Sequence, residues 1–133
     1  MKTIIAGSRN IKEYSIVKQA IRQSGFEITE VVSGMAPGVD SLAEDWAIEN
    51  NIEISPYPAQ WEDLTLTPCY VKYNKFGKPY NVLAGHNRNE QMAKYADALI
   101  AIWDGKSPGT KNMIELAKKY NLKIYIYNLM ENK

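Results

Sequence analysis

The stretch LIAIWDGKSPGT, residues 99–110, decides the fold of this chain. Its first part, Leu99 to Trp103, is an apolar run of strand length, as expected for a parallel strand that is covered on both faces. A turn containing Gly105 and Gly109 follows, and a helix pattern begins around Thr110. Such a junction directs several backbone N–H groups and the positive end of a helix dipole at one point. The stretch therefore predicts a site for a phosphate or another anion.

Length and composition limit the class of protein. The chain has 133 residues, of which 45% are hydrophobic, and this predicts one domain, residues 1–133, with a real core. Sixteen basic and fifteen acidic residues give a net charge of +1, so we expect no nucleic-acid partner unless a local patch provides one. The single cysteine, Cys69, excludes an internal disulfide framework and has no metal-ligand spacing around it. No apolar stretch is long enough for a membrane span or a signal peptide, so the expected location is the cytoplasm.

Strands and helices alternate along the chain. The apolar patterns predict five strands, at residues 3–6, 28–32, 52–57, 99–103 and 122–127. Between them lie helix patterns, of which the most regular has Val39, Leu42, Ala43, Trp46 and Ala47 on one face. Asn10 is the predicted N-cap of the first helix, and Gly25 is expected to end it. Residues 130–133 are expected to form a frayed tail.

The segment 59–84 is predicted to be an insertion before the fourth strand. It lacks the helix period and contains Trp61 and Tyr80, which either stack on a base or attach the segment to the body. Its second half is predicted to form a small β-hairpin or ordered loop that turns at residues 74–77. Insertions of this length are often binding loops or lids.

Alternation of this kind predicts a three-layer α/β fold with a mostly parallel five-stranded sheet. In the strand order 3-2-1-4-5, the first and fourth strands are neighbours and their carboxyl ends face one crevice. Three loops then open on the same edge of the sheet, namely residues 7–9, 33–40 and 105–110. The order of the strands therefore turns three separate loops into one predicted site.

Four motifs carry a resemblance to a known family. They are GSR at 7–9, SGMAPGVD at 33–40, AGHNRNEQM at 84–92 and GKSPGT at 105–110. Together, and in this order, they resemble the SLOG superfamily, and within it the YspA-like, cpYpsA-related group of small domains. Relatives in that superfamily include the Smf/DprA DNA-processing proteins and the LOG phosphoribohydrolases. The resemblance implies a Rossmann-like fold whose strand-end loops bind a nucleotide or a nucleotide-derived small molecule, and it also implies a homodimer.

The residues predicted to contact that ligand lie in these four motifs. They are Gly7, Ser8, Arg9, Ser33, Gly34, Gly38, Asp40, Arg88, Asn89, Gly105, Ser107, Gly109 and Thr110. The arginines suit a phosphate and Asp40 suits a sugar hydroxyl. Each type also has a structural alternative: the glycines as turn residues, the arginines as solvated charges, and Ser8, Ser107 and Thr110 as helix caps. Asn89 either orients the ligand or caps its helix. The only histidine, His86, is expected to be structural or solvated.

Three functions remain open after the sequence has been read. The first is a binding or sensing module for a nucleotide-type ligand, with no other cofactor and no metal. The second is a nucleoside 5′-monophosphate glycosidase, which needs a carboxylate because the reaction passes through a cationic sugar. LOG enzymes have that carboxylate two or three residues after the threonine, where this chain has Asn112 and Met113, so Asp40, Glu44 and Glu115 are the candidates. The third is a DNA-processing accessory protein, which the near-neutral charge argues against.

Overall fold

The computed structural model describes residues 1–59, 64, 70–73, 75–81 and 83–129, and it contains eleven regular elements. In chain order these are β1 (Lys2–Gly7), α1 (Tyr14–Ser24), β2 (Glu30–Ser33), α2 (Val39–Glu49), β3 (Glu53–Pro56), β4 (Val71–Tyr73), β5 (Pro79–Asn81), α3 (Ala84–Tyr95), β6 (Ala98–Trp103), α4 (Pro108–Lys119) and β7 (Lys123–Asn128). Trp61, Cys69 and the predicted tail at 130–133 lie outside the described residues.

Five of the seven described strands form one parallel sheet, in the order β3-β2-β1-β6-β7. This is the predicted α/β fold and the predicted order, with β6 and β7 as the fourth and fifth strands of the sheet. β3 lies at an edge, as the alternation of residues 52–57 indicates. At the centre β1 pairs with β6 in a register that joins Thr3 to Ala98 and Gly7 to Ile102.

Helices cover both faces of this sheet. On one face α1 and α2 contribute Val17, Ala20, Val39 and Ala43 to a core cluster that also contains Ile5. The other face is covered by α3 and α4, whose Met92, Ala93, Met113 and Ile114 pack around Ile4 and Leu99. Adjacent strand residues such as Ile4 and Ile5 are therefore both buried, which explains the unbroken apolar runs in β1 and β6.

The hairpin expected inside the insertion is present. β4 and β5 pair antiparallel, with Val71 opposite Asn81 and Tyr73 opposite Pro79. They form a separate two-stranded ribbon between β3 and α3. The role of the 59–84 insertion as a lid or binding loop stays a prediction.

The start of α1 differs from the sequence prediction. Asn10 is not its N-cap, because α1 begins at Tyr14 and Glu13 occupies the cap position without a side-chain hydrogen bond. The Asn10 N–H instead donates to Ser8 Oγ at 3.2 Å, so residues 8–10 form a turn at the end of β1. Gly25 does end α1, with a φ of 70° that glycine adopts without strain.

Within the described residues, no helix is long and apolar enough to span a bilayer.

The sheet core predicts a clear contrast between two aliphatic truncations. Leu99→Ala removes a side chain that is 0% exposed between two layers, and we expect it to lower the free energy of unfolding by about 2–5 kcal/mol. Ile48→Ala removes a side chain that is 68% exposed on α2, and the expected change is within about 0.5 kcal/mol. Urea unfolding of both variants measures the difference, and equal effects would contradict the assigned sheet core.

Candidate functional site

A cavity of about 440 Å³ opens at the carboxyl ends of β1 and β6. Its wall comes from the end of β1 and the turn after it, the loop before α2, one face of α3 and the start of α4. The lining residues are Ala6, Gly7, Ser8, Arg9, Asn10, Ala36, Asp40, Arg88, Asn89, Met92, Ser107, Pro108, Gly109, Thr110 and Met113. The cavity therefore occupies the switch point of the sheet, where ligands bind in open α/β folds.

Most of the residues predicted from the motifs meet in this cavity. Those that line it are Gly7, Ser8, Arg9, Asp40, Arg88, Asn89, Ser107, Gly109 and Thr110. Four predicted residues, Ser33, Gly34, Gly38 and Gly105, do not line it. The structure thus brings the loops together as predicted, while the contact of any one residue with a ligand stays a prediction.

The four residues outside the lining have structural roles. Ser33 is buried in β2, where its hydroxyl donates to Glu44 Oε2 at 2.6 Å and accepts the Met35 N–H. A Cβ at Gly38 would approach the Ser8 carbonyl oxygen to 2.5 Å, so there is no space for a side chain. The φ of Gly38, +83°, is also one that residues other than glycine rarely adopt. Gly105 has a φ of +84° and forms the turn after β6.

Gly34 acts on the cavity through Arg88. The Arg88 guanidinium donates through Nη1 to the Gly34 carbonyl and through Nε to Asn89 Oδ1, the latter at 2.9 Å. A Cβ on Gly34 would lie 2.7 Å from that Nη1 and 2.8 Å from Asp40 Oδ2. A side chain at position 34 would therefore displace the Arg88 guanidinium or the Asp40 carboxylate from its present place.

The hydrogen bonds continue from α3 to α4. Asn89 is 8% exposed, and its Nδ2 donates to Asn112 Oδ1 at 2.9 Å. Asn89 therefore neither caps α3 nor points to solvent; it joins the two helices that form one wall of the cavity. The pKa of Arg88 is lowered from its usual value, first because burial disfavours its charge, while the nearby Asp40 opposes this shift.

Asp40 is the buried carboxylate of the site. It is 8% exposed in the first turn of α2, and its Oδ2 accepts the Ala36 N–H at 3.2 Å. Burial raises its pKa from 3.8 to about 6, against the opposing effects of the Ala36 hydrogen bond and the Arg88 charge. The group thus changes its protonation state near neutral pH, which is the range useful for proton transfer.

The start of α4 forms the opposite wall. Asp104 Oδ1 accepts the N–H groups of Lys106 and Ser107, both at 2.8 Å, and its Oδ2 accepts the Ser107 hydroxyl. These bonds lower the pKa of Asp104 and shape the turn, so Ser107 is at the cap position without capping the helix through its side chain. Around Gly109 a Cβ would meet no atom within 4 Å, so the backbone there is open to a ligand.

Two polar groups at this edge lack protein partners in the part of the chain that the structure describes. Thr110 is 5% exposed and lines the cavity, and its hydroxyl forms no hydrogen bond with a described residue. Arg9 is exposed on the rim, and its guanidinium likewise has no hydrogen bond or ion pair there. A buried hydroxyl without a protein partner is uncommon in folded proteins, and this one is therefore available to a ligand.

The other two catalytic candidates are not at the cavity. Glu44 accepts the Ser33 hydroxyl behind the loop, and Glu115 is exposed on α4. Among the described lining residues, Asp40 is therefore the only carboxylate. His86 is exposed and does not line the cavity either.

Several lining residues were not predicted from the sequence. They are Ala6, Asn10, Ala36, Met92, Pro108 and Met113. Helix spacing offered one usable signal, because Met92 follows Arg88 by four residues and Met113 follows Thr110 by three, so each pair shares a face. The described residues contain no group of three His, Cys, Asp or Glu side chains that could bind a metal ion.

The raised pKa of Asp40 predicts a pH-dependent stability. Between its unfolded value of 3.8 and its folded value of about 6, the native chain binds more protons than the unfolded chain. The free energy of unfolding of the wild type should therefore fall, relative to Asp40→Asn, as the pH rises from about 4 to about 7. The relative loss should be up to about 3 kcal/mol.

Urea unfolding at several pH values measures this difference. The control is Asp45→Asn, which changes an exposed carboxylate on the same helix. A constant difference between wild type and Asp40→Asn across this range would contradict the buried position of the carboxyl.

Comparisons with known proteins agree with this fold. The model of the YspA, cpYpsA-related SLOG family matches residues 1–63, which include β1, α1, β2, α2 and β3. No curated protein sequence matches the chain.

Two solved structures have the same fold. One is DNA processing protein A (DprA) from Streptococcus pneumoniae, with 21% identity and a TM-score of 0.68 over 94% of this chain. The other is DNA processing protein A from Helicobacter pylori, described for its unique single-stranded DNA binding mode, with 22% identity and a TM-score of 0.64 over 95% of this chain. This chain spans 49% of the first and 64% of the second. The resemblance to the YspA, cpYpsA-related SLOG family is thus confirmed over residues 1–63, which hold the motifs at 7–9 and 33–40, and the two solved structures confirm the fold.

Proposed function

We propose that the cavity at the end of β1 binds a nucleotide or a nucleotide-derived small molecule. The observation that carries this proposal is the buried Thr110 hydroxyl at the start of α4, which has no hydrogen-bond partner among the described residues and lines the same cavity as Asp40. A volume of about 440 Å³ is in the range of small-ligand sites. The wall combines a group suited to phosphate with a group suited to a sugar, which favours a ligand containing both.

The phosphate would lie against the start of α4. There the helix dipole is positive, the Gly109 backbone is open, and the Thr110 hydroxyl can donate. Arg9 on the rim adds a charged hydrogen-bond donor, and no described side chain accepts a hydrogen bond from it. Arg88 contributes charge to the same cavity, but its Nη1 and Nε already bind Gly34 and Asn89, so Arg9 is the arginine we assign to direct contact.

The ribose would lie towards Asp40. A sugar hydroxyl that donates to this carboxylate would replace part of the hydration that burial has removed. Such a contact stabilises the ionised form, so ligand binding should lower the pKa of Asp40 towards its usual value.

Thermal unfolding with a panel of ligands tests the proposal. The panel contains nucleoside monophosphates and diphosphates, cyclic nucleotides, NAD and ADP-ribose. A ligand at about 100 times its Kd adds about 2.7 kcal/mol of apparent stability, which raises the midpoint by several degrees. We expect one class of ligand to produce this shift, and Arg9→Ala and Thr110→Val each to reduce it strongly.

The matched control is Arg22→Ala, which removes an exposed arginine from the last turn of α1. It should leave the ligand-induced shift intact. Thr110→Val keeps the shape of the buried side chain and replaces a hydroxyl that has no partner among the described residues, so it should not lower the midpoint of the free protein. An absence of shift with every ligand at millimolar concentration, in a folded wild type, overturns the proposal.

A second candidate is hydrolysis of the bond between base and sugar in a nucleoside 5′-monophosphate. The observation that favours it is Asp40, a cavity carboxylate with a pKa of about 6. In this reaction water adds to C1′ of the ribose, the bond from C1′ to the base breaks, and the base leaves with a proton. Asp40 would stabilise the cationic sugar and accept a proton from the water.

Chromatography of wild-type protein incubated with nucleoside monophosphates tests the hydrolysis. We expect release of free base and ribose 5-phosphate, lost in Asp40→Asn by a factor of at least about 100. Glu115→Gln is the control, since Glu115 is exposed on α4 and outside the cavity lining. No base release would leave binding as the function of the cavity, and equal release by Asp40→Asn would overturn the catalytic role of Asp40.

A DNA-handling role is the third candidate. The Helicobacter pylori neighbour is described by its single-stranded DNA binding mode. At 22% identity the likeness carries the fold alone, so a nucleic-acid role for this chain needs support from its own surface. The net charge of +1 restricts any such surface to a local patch.

A further inference from the structure

The β4–β5 hairpin and the residues beside it have a composition unlike the rest of the chain. From Leu64 to Asn89 there is no aspartate or glutamate, while Lys72, Lys75, Lys78 and Arg88 are present. The remaining sequence then holds twelve basic and fifteen acidic residues. A nearly neutral protein thus carries a positive segment, and we call residues 70–81 the basic hairpin.

Aromatic side chains on the basic hairpin face solvent. Tyr70, Tyr73 and Phe76 are 57%, 70% and 76% exposed. Val71 beside them is 43% exposed, and all residues described in β4 are exposed. These three large rings lie within seven residues and are not part of the sheet core. Exposed apolar groups that cluster in this way mark an interaction surface.

Lysines accompany these rings. Lys72 Nζ lies 5.8 Å from the centre of the Tyr70 ring, and Lys75 Nζ lies 5.2 Å from the centre of the Phe76 ring. In each pair the ammonium group lies over one face of the ring. A base that stacked on the opposite face would have this positive charge close by for its backbone phosphate.

We propose that the basic hairpin binds single-stranded nucleic acid, with Tyr73 and Phe76 stacking on bases and the lysines neutralising phosphates. Stacking platforms interleaved with positive charge are the chemistry by which proteins bind single strands without reading sequence. The rings need base faces that are not already stacked or paired. A single strand provides such faces, whereas a duplex or a simple polyanion does not. A second copy of this chain would bring the lysines of two hairpins together, and like charges oppose that contact.

This inference gives the third candidate function a surface of its own, because none of the described residues of the basic hairpin lines the cavity. In chain order the hairpin lies between β3 and α3. Substitutions can therefore separate the two sites.

Fluorescence anisotropy of a labelled oligothymidylate of about 20 nucleotides, with the full chain at several salt concentrations, tests the proposal. The double variant Tyr73→Ala/Phe76→Ala should weaken binding at least tenfold, because stacking on each base is lost. The triple variant Lys72→Ala/Lys75→Ala/Lys78→Ala should reduce the magnitude of the slope of log K against log salt by about 2. Each lysine that neutralises a phosphate contributes about 0.7 to this slope.

The matched control is Lys118→Ala/Lys119→Ala/Lys123→Ala, which removes the same charge from exposed positions on α4 and β7. It should leave the slope unchanged. The changed residues are exposed, so circular dichroism and thermal midpoints should match those of the wild type. The proposal is overturned if the wild type does not bind the oligonucleotide at low salt, or if both lysine variants lose the same amount of binding. It is also overturned if the ring substitutions change only the self-association of the chain, as measured by sedimentation.

Discussion

The pairing of β1 with β6 is the interaction on which the rest of the structure depends. These strands are separated by about ninety residues of sequence, and their register brings Gly7 beside Ile102. At that point a Cβ on Gly7 would lie 2.5 Å from the Ile102 carbonyl oxygen and 2.7 Å from Val39 Cγ2. The absence of a side chain therefore allows β1, β6 and α2 to meet, and the cavity opens directly beyond this contact.

The fold was predictable because its signals are local. The unbroken apolar runs of β1 and β6, the turn at Gly25 and the regular face of α2 each require only a short window of sequence, and the alternation of elements then determines the layers. Boundaries were harder to predict. α1 starts four residues after Asn10, because residues 8–10 form a turn at the end of β1 and Glu13 occupies the cap position.

The site was predictable as a set of loops and not as a set of contacts. Motif position indicates that Ser33 and Gly34 lie near the ligand loops, but their partners, Glu44 and Arg88, come from positions 11 and 54 residues away. Whether a polar side chain faces a cavity or a neighbouring residue depends on such distant partners. The same limit applies to Arg9 and Arg88, which look alike in sequence and differ in the structure because only Arg88 finds a carbonyl and an amide within reach.

The bond from Arg88 to Gly34 links elements on opposite faces of the sheet, since α3 covers one face and the loop from β2 leads to α2 on the other. With the Asn89–Asn112 bond, it connects the loop before α2, α3 and α4 in one series across the open end of the sheet. Walls joined in this way move together. A ligand bound as proposed would meet walls that are already joined, so less conformational entropy would be lost in placing them, whereas the exposed Arg9 would still have to be ordered on binding.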